Sequence, residues 1–186
     1  MTKIETRRLV LRAWEDEDAA ALFELASDPE VGPRAGWPAH ASETESLQII
    51  RNVLRGDESY AVALRNADGD EASDGTPADT LVGAIALKAS EDSRFITAPS
   101  EYEIGYWVGR PYWGRGYAPE AMEALIEHAQ RDLGATAIWA GYYAGNMQSR
   151  RVMEKCGLTH VRTDRSVDVP LLGETRDEDV LRLELA

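Results

Sequence analysis

RPYWGRGYAPEAMEAL, residues Arg110 to Leu125, sets two glycines one residue apart directly before a helical pattern. Glycine costs backbone entropy, so a pair at the opening of a helix suggests that something must approach the main chain closely. The pattern that follows runs from Pro119 to Leu133, with Met122, Leu125, Ile126 and Ala129 on one face. Proline is tolerated in its first turn. Ahead of the glycines, in EYEIGYWV, Tyr102, Ile104 and Tyr106 alternate with Glu103, Gly105 and Trp107, which predicts a strand ending at Val108. A strand, a glycine turn and a helix in this order present free backbone N–H groups at a helix N-terminus, where the dipole adds partial positive charge. Such a site suits an anion. Arg115 adds a full charge, and the missing side chains at Gly114 and Gly116 let phosphate oxygens reach the main chain. A tight strand-to-helix connection without a ligand is the alternative reading of the glycines alone.

Two familiar phosphate loops do not fit. A dinucleotide fingerprint needs a third small residue where Pro119 stands, and it belongs at the first strand-helix junction of a chain. A Walker-type loop needs Lys and then Ser or Thr after its last glycine, but Gly116 is followed by Tyr117 and Ala118.

Outward from this stretch, the period of the sequence alternates between strand and helix. Ile4 to Arg12 reads as one half-buried strand, and Asp16 to Ala26 as a helix with acidic residues in its first turn. SDPEVGPRAGWP then breaks the pattern, because its prolines and glycines make a continued helix costly. Ser42, with Glu45 three residues on, has the form of a capping box before Leu47, Ile50 and Leu54. Tyr60 to Leu64 and Leu81 to Leu87 read as strands, and the acidic, turn-rich segment at about 66–79 between them as a long mobile loop without chemistry. Later come a strand at Ala137 to Tyr142, a helix at Asn146 to Lys155 that Gly157 ends, and strands at Leu158 to Val169 and Val180 to Leu185. This order implies a mixed α/β (α+β) fold: one domain over residues 1–186, a central sheet with helices on both faces.

Composition removes several function classes. With a formal net charge of −13 the chain is a poor nucleic-acid binder, since phosphate contacts need clustered Lys and Arg, whereas a cationic partner is allowed. No apolar run approaches the roughly 20 residues of a membrane helix, and the start of the chain lacks the continuous apolar block of a signal peptide, so a cytoplasmic location is expected. Cys156 is the only cysteine, which excludes an internal disulfide, and it reads as a packing thiol. His40, His128 and His160 are too scattered for metal-ligand spacing, so no metal is expected.

Three motifs in order carry a resemblance. WGRGYA, Trp113 to Ala118, is similar to the [Q/R]-x-x-G-x-[G/A] phosphate loop of the GNAT superfamily of acyl-CoA N-acyltransferases, with Gly116 and Ala118 at the small positions and Trp113 where Gln or Arg is usual. An aromatic residue before GRGYA resembles the RimJ/RimL-type branch, which includes N-terminal acetyltransferases of ribosomal proteins. EIGYWV resembles that branch's fourth strand, and NMQSRRVMEKCGL its later helix. The resemblance implies a mostly antiparallel sheet of about seven strands, with the fourth splayed from the fifth. It also implies transfer of an acetyl group from acetyl-CoA, as cosubstrate, to a primary amine by direct attack.

On that resemblance, the backbone of Tyr106, Trp107 and Val108 would bond the pantetheine arm and acetyl carbonyl. The turn formed by Trp113, Gly114, Arg115, Gly116, Tyr117, Ala118 and Pro119 would cradle the pyrophosphate, and Asn146 would bond the pantetheine as well as being suited to cap its helix. An attacking amine must be neutral, although alkyl amines have a pKa of about 10.4. Glu103 matches the branch's strand glutamate, assigned as general base, acting directly or through water. Ser149 matches the serine proposed as donor to the departing thiolate; Met153 stands where many relatives carry a donor tyrosine, and Tyr142 or Tyr143 are the alternatives. Trp37 and Tyr142 are the candidates for the acceptor pocket, with the turn at 167–178 as its other wall. The implied acceptors are a protein N-terminus or a small amine, and a second copy of the chain is a candidate partner. A non-catalytic acyl-CoA sensor and a nucleotide-binding module stay open as other classes.

Overall fold

The computed structural model describes residues 2–65, 79–89 and 93–186. The acidic segment expected at about 66–79 lies outside the described residues except for Asp79, which accepts a bond from Arg12 Nε at 2.9 Å. Among the described residues, eight strands form one sheet in the order β1-β2-β3-β4-β5-β6-β8-β7. They are β1 Ile4–Glu5, β2 Leu9–Arg12, β3 Ser59–Leu64, β4 Leu81–Lys88, β5 Glu101–Val108, β6 Ala137–Tyr143, β7 Thr159–Val169 and β8 Glu174–Glu184. Every neighbouring pair is antiparallel except β5 and β6.

The count exceeds the expected seven because Ile4 to Arg12 is a hairpin and not one strand. Thr6 folds the chain back: its Oγ1 accepts the Leu9 N–H at 2.9 Å, and its own N–H bonds the Leu9 carbonyl at 2.9 Å. A short polar side chain competing for backbone groups in this way initiates a turn. β8 likewise starts at Glu174, six residues before the expected Val180. The charged run ETRDED has no apolar alternation to announce a strand, yet it pairs with β7 across the turn at 170–173.

Three helices lie on one face: α1 Ala19–Ala26, α2 Gly32–Ala35 and α3 Glu43–Ile49, the last running into a π turn over Ile50–Leu54. Leu22, Leu25 and Ile50 pack there against Ala61, Leu81 and Ala84 of the sheet. Ser42 caps α3 by accepting the Glu45 N–H at 3.1 Å, while the Glu45 carboxylate reaches back to the N–H of Ala41. The one-turn α2 interrupts the proline- and glycine-rich segment, where no helix was expected. The opposite face carries α4 Tyr117–Asp132 and α5 Met147–Lys155. Met122, Leu125 and Ala129 of α4 are wholly buried against Leu9, Leu11, Tyr60 and Ile85, and Met153 of α5 joins them. Full burial of a Leu or Met side chain stabilises by about 1.5–3 kcal/mol, so the amphipathic face fixes α4 on the sheet far more firmly than helix propensity could. No described helix is long and apolar enough to cross a membrane.

Candidate active site

The parallel pair opens. β5 meets β6 only at Glu101↔Ala137, Tyr102↔Ile138 and Glu103↔Trp139, while β5 stays paired with β4 up to Val108 and β6 with β8 up to Tyr143. Each of the two strands follows its outer neighbour, and the sheet divides beyond Glu103. Glu101 holds the base of the split. Its carboxylate is buried and accepts bonds from Thr97 N–H at 2.8 Å, Trp139 Nε1 at 2.9 Å and Arg182 Nη2 at 2.8 Å, joining β5 to β6 and β8. Burial alone would raise its pKa, but these donors prevail and hold it down to about 2.

The register decides which backbone groups face the opening. Gly109 N–H bonds the Val82 carbonyl at 2.8 Å, one step beyond the pair Gly83↔Val108. Hydrogen-bonded and non-bonded pairs alternate in an antiparallel ladder, so Glu103, Gly105 and Trp107 turn their N–H and C=O groups to β4. Ile104, Tyr106 and Val108 turn theirs into the split. Of the three strand residues expected to offer backbone bonds, Tyr106 and Val108 therefore qualify and Trp107 does not, and Ile104 takes its place. The Val108 carbonyl already accepts Trp113 Nε1 at 2.7 Å. That bond gives Trp113 a purpose other than direct phosphate contact: its indole ties the turn to the strand end.

A cleft of about 600 Å³ runs from this open edge to the glycine turn, lined on the way by Tyr106, Val108, Gly114, Gly116 and Ala118. Gly114 and Gly116 have φ of +76° and +78°, in the left-handed region that favours glycine, and Gly116 is the N-cap of α4. Among the described residues, no atom beyond its two chain neighbours lies within 4 Å of where a Cβ on Gly114 would stand. The turn is thus an open cradle, with the first N–H groups of α4 free of helical partners. Pro119 lines the cleft but has no N–H to offer, so the donors end at Ala118. Arg8 braces the turn from behind: it bonds the Arg115 carbonyl at 2.9 Å and Glu120 Oε2 at 2.7 Å. Glu120 also accepts the Thr6 hydroxyl at 2.6 Å, and although burial would raise its pKa, the Thr6 and Arg8 bonds bring it below the ordinary value.

The split also joins the two faces of the sheet. On the α4/α5 face, Asn146 caps α5 by accepting the Ser149 N–H at 3.2 Å, and its amide reaches the Arg34 carbonyl at 3.4 Å. Tyr142 lines the cleft on this face beside Asp179, and burial raises its hydroxyl pKa. Tyr142 thus shares the cleft with Glu103 but lies on the other face of the sheet. On the α1–α3 face, Glu103 Oε1 lies 3.0 Å from Lys88 Nζ and Oε2 accepts the Ser93 hydroxyl at 2.6 Å. Phe95, Gly141 and the buried Glu178, ion-paired with Arg94, complete this wall. Trp37 does not line the cleft; it packs under it, edge-on to Trp107 at 5.7 Å and against His40 at 5.2 Å. The wall residues Lys88, Phe95 and Gly141 escaped the sequence reading because Phe95 sits in a polar break and Gly141 in mid-strand. Cys156 is half-buried, donates toward the Pro119 carbonyl at 3.7 Å, and burial pushes its thiol up to about 11, which leaves it a packing thiol.

A strand edge opened against its parallel neighbour, beside a helix N-terminus with free N–H groups, is the geometry of the site. Comparison with known proteins gives the chain a family. Residues 8–159 match the family described as Acetyltransferase (GNAT) domain. YkkB of Bacillus subtilis, an uncharacterized protein, is 30% identical over 173 residues, covering 91% of this chain and 92% of its own. YdaF of the same organism, which carries a ribosomal N-acetyltransferase name, is 28% identical over 153 residues, covering 80% of this chain and 76% of its own. Among solved structures, a GNAT-family acetyltransferase from Bacillus anthracis superposes with a TM-score of 0.79 at 24% identity, covering 98% of both chains. RimL, a ribosomal L7/L12 alpha-N-protein acetyltransferase solved with coenzyme A, shares the fold with a TM-score of 0.73 at 17% identity, covering 99% of this chain and 98% of its own. The chain belongs to the GNAT acetyltransferase family, with relatives of the RimJ/RimL type.

Proposed function

We propose that the protein transfers an acetyl group from acetyl-CoA to a primary amine, by direct attack with both substrates bound. The observation that carries the reading is the β5 edge left open toward β6 at Ile104, Tyr106 and the Val108 N–H, continuous with the open turn at Gly114 to Ala118. That edge supplies alternating donors and acceptors suited to an amide-bearing pantetheine arm, and the turn supplies N–H groups and Arg115 for a diphosphate. Asn146, already oriented by its cap, offers its amide to the same arm. Acetyl-CoA supplies an acetyl group activated as a thioester.

The chain's own residues do the rest. Glu103 faces the α1–α3 side of the split, where its carboxylate accepts a proton from the incoming ammonium, directly or through one water. Lys88 and Ser93 fix the orientation of that carboxylate. Ser149, across the strand on the cofactor side, points a hydroxyl toward the departing sulfur. The acceptor, either a protein N-terminus or a small amine, reaches Glu103 past Phe95, Gly141 and Glu178. The test is an acceptor screen with acetyl-CoA that includes short peptides with free N-termini. N-acetylated product with matching thiol release supports the reading; CoA binding without product from any amine would instead favour a sensor.

A further inference from the structure

α5 lies along the cofactor side of the split and ends beside the glycine turn: Cys156, just past its last residue, reaches the Pro119 carbonyl in the first turn of α4 at 3.7 Å. Gln148, Arg151 and Lys155 line the cleft. Their spacing of three and four residues puts them in one stripe along the helix. Of the other cations lining the cleft, Arg34 is held by Glu30 at 2.7 Å and Lys88 by Glu103 at 3.0 Å. Arg151 and Lys155 are exposed, and neither has a carboxylate partner among the described residues, although the neighbouring Arg150 is paired with Glu154 at 2.7 Å.

In a chain with 33 acidic and 20 basic residues, two unpaired cations one helical turn apart call for a reason. Like charges at this spacing repel and weaken the helix that carries them. The dipole of α5 accounts for Lys155 in the last turn, but not for Arg151 four residues earlier. An anion shared by the two side chains turns the repulsion into attraction. We propose that Arg151 and Lys155 form a second anion subsite, which takes the ribose 3′-phosphate of coenzyme A and so separates coenzyme A from dephospho-CoA. The inference rests on the acetyl-CoA reading above and names the part of that ligand which α5 recognises. A phosphomonoester carries nearly two negative charges at neutral pH and three strong acceptor oxygens. Arginine meets it with a planar fork of donors, lysine with a compact charge. The order of groups along the ligand agrees with the order of the cleft: pantetheine at the β5 edge, diphosphate at the turn, then the phosphorylated ribose beside the C-terminal half of α5.

Calorimetry with CoA and dephospho-CoA tests this, because the two ligands differ only in the 3′-phosphate. Exposed ion pairs contribute modestly, so wild type should bind CoA about tenfold more tightly than dephospho-CoA. Arg151→Gln and Lys155→Gln should each reduce that ratio about threefold, and the double variant should bring it to about one while dephospho-CoA binds as before. Lys155→Arg keeps the charge and should keep the ratio. Arg150→Gln, on the same helix but outside the cleft lining, is the control and should leave the ratio unchanged. Raising salt from about 0.05 to 0.5 M should shrink the wild-type ratio, because exposed charges are screened, and should not move that of the double variant. Both positions are exposed, so melting temperatures should stay within about 2 °C of wild type. A double variant that keeps the tenfold ratio, or an equal fall in Arg150→Gln, would overturn the proposal. So would a double variant that loses dephospho-CoA as much as CoA, which would assign both cations to the diphosphate. A wild-type ratio near one with both ligands bound would overturn this inference and leave the acetyl-CoA reading intact; failure of wild type to bind either ligand would overturn both.

Discussion

Replacing Gly114 by alanine separates the two demands that the turn places on glycine. At φ +76° an L-residue pays about 1–2 kcal/mol in backbone strain, and because no described atom beyond the two chain neighbours lies within 4 Å of the new methyl, no packing clash adds to it. For 186 residues the entropy of unfolding is roughly 0.4 kcal/mol per degree, so the melting temperature should fall by about 3–5 °C. The methyl stands in the cleft, where it obstructs close approach of phosphate oxygens to the N–H groups. CoA affinity should therefore drop at least tenfold, about 1.4 kcal/mol, while phosphate-free pantetheine binds as before. Calorimetric titrations with both ligands and a thermal melt measure all three quantities. A variant with the lowered melting temperature but unchanged CoA affinity would refute the reasoning, as would equal weakening of CoA and pantetheine. In Gly116→Ala the Cβ would make an ordinary contact with Arg8 Nη2 at 3.4 Å, so that variant should lose about as much stability as Gly114→Ala.

Glu103→Gln should keep CoA affinity and lower kcat by a hundredfold or more; an unchanged kcat would remove Glu103 from the base role. Glu101 has a folded pKa near 2, below its unfolded value, so its stabilisation of at most about 3 kcal/mol is present above pH 4.5 and fades as pH falls toward 2. Glu101→Gln should flatten acid unfolding in that window, measured by denaturant titration at stepped pH. Glu120 is lowered in the same direction, and Glu120→Gln should loosen the turn through Arg8, costing roughly 1–3 kcal/mol and weakening CoA more than pantetheine. Leu125→Ala, at a wholly buried position of α4, should cost about 2–5 kcal/mol in chemical denaturation without changing which amines are accepted.

The parts of the fold legible in the sequence are those where one local rule acts alone. The 3.6-residue spacing of Met122, Leu125, Ile126 and Ala129 announces α4, and Asn146 announces the start of α5 because the same side chain that suits a cap does cap it. The β1–β2 hairpin stays hidden because alternation continues through Thr6, and only a side-chain bond to Leu9 reveals the turn. Within the site, the glycines and Glu103 can be read from residue type and motif. The exchange of Trp107 for Ile104 cannot, since the direction of a backbone group depends on the register against β4, a property of two distant segments together. Trp37 illustrates the converse: its neighbourhood in sequence borders the cleft, but packing on Trp107 turns it into a support beneath the wall.

Backbone amide exchange followed by NMR, with and without CoA, probes the strand edge and the turn in one measurement. The N–H groups of Ile104, Tyr106 and Val108 and of Arg115 to Ala118 should exchange more slowly once CoA is bound, while Gly105 and Trp107, already bonded to β4, should not change. Protection that falls on Gly105 and Trp107 instead, or that leaves Arg115 to Ala118 untouched, would contradict the account.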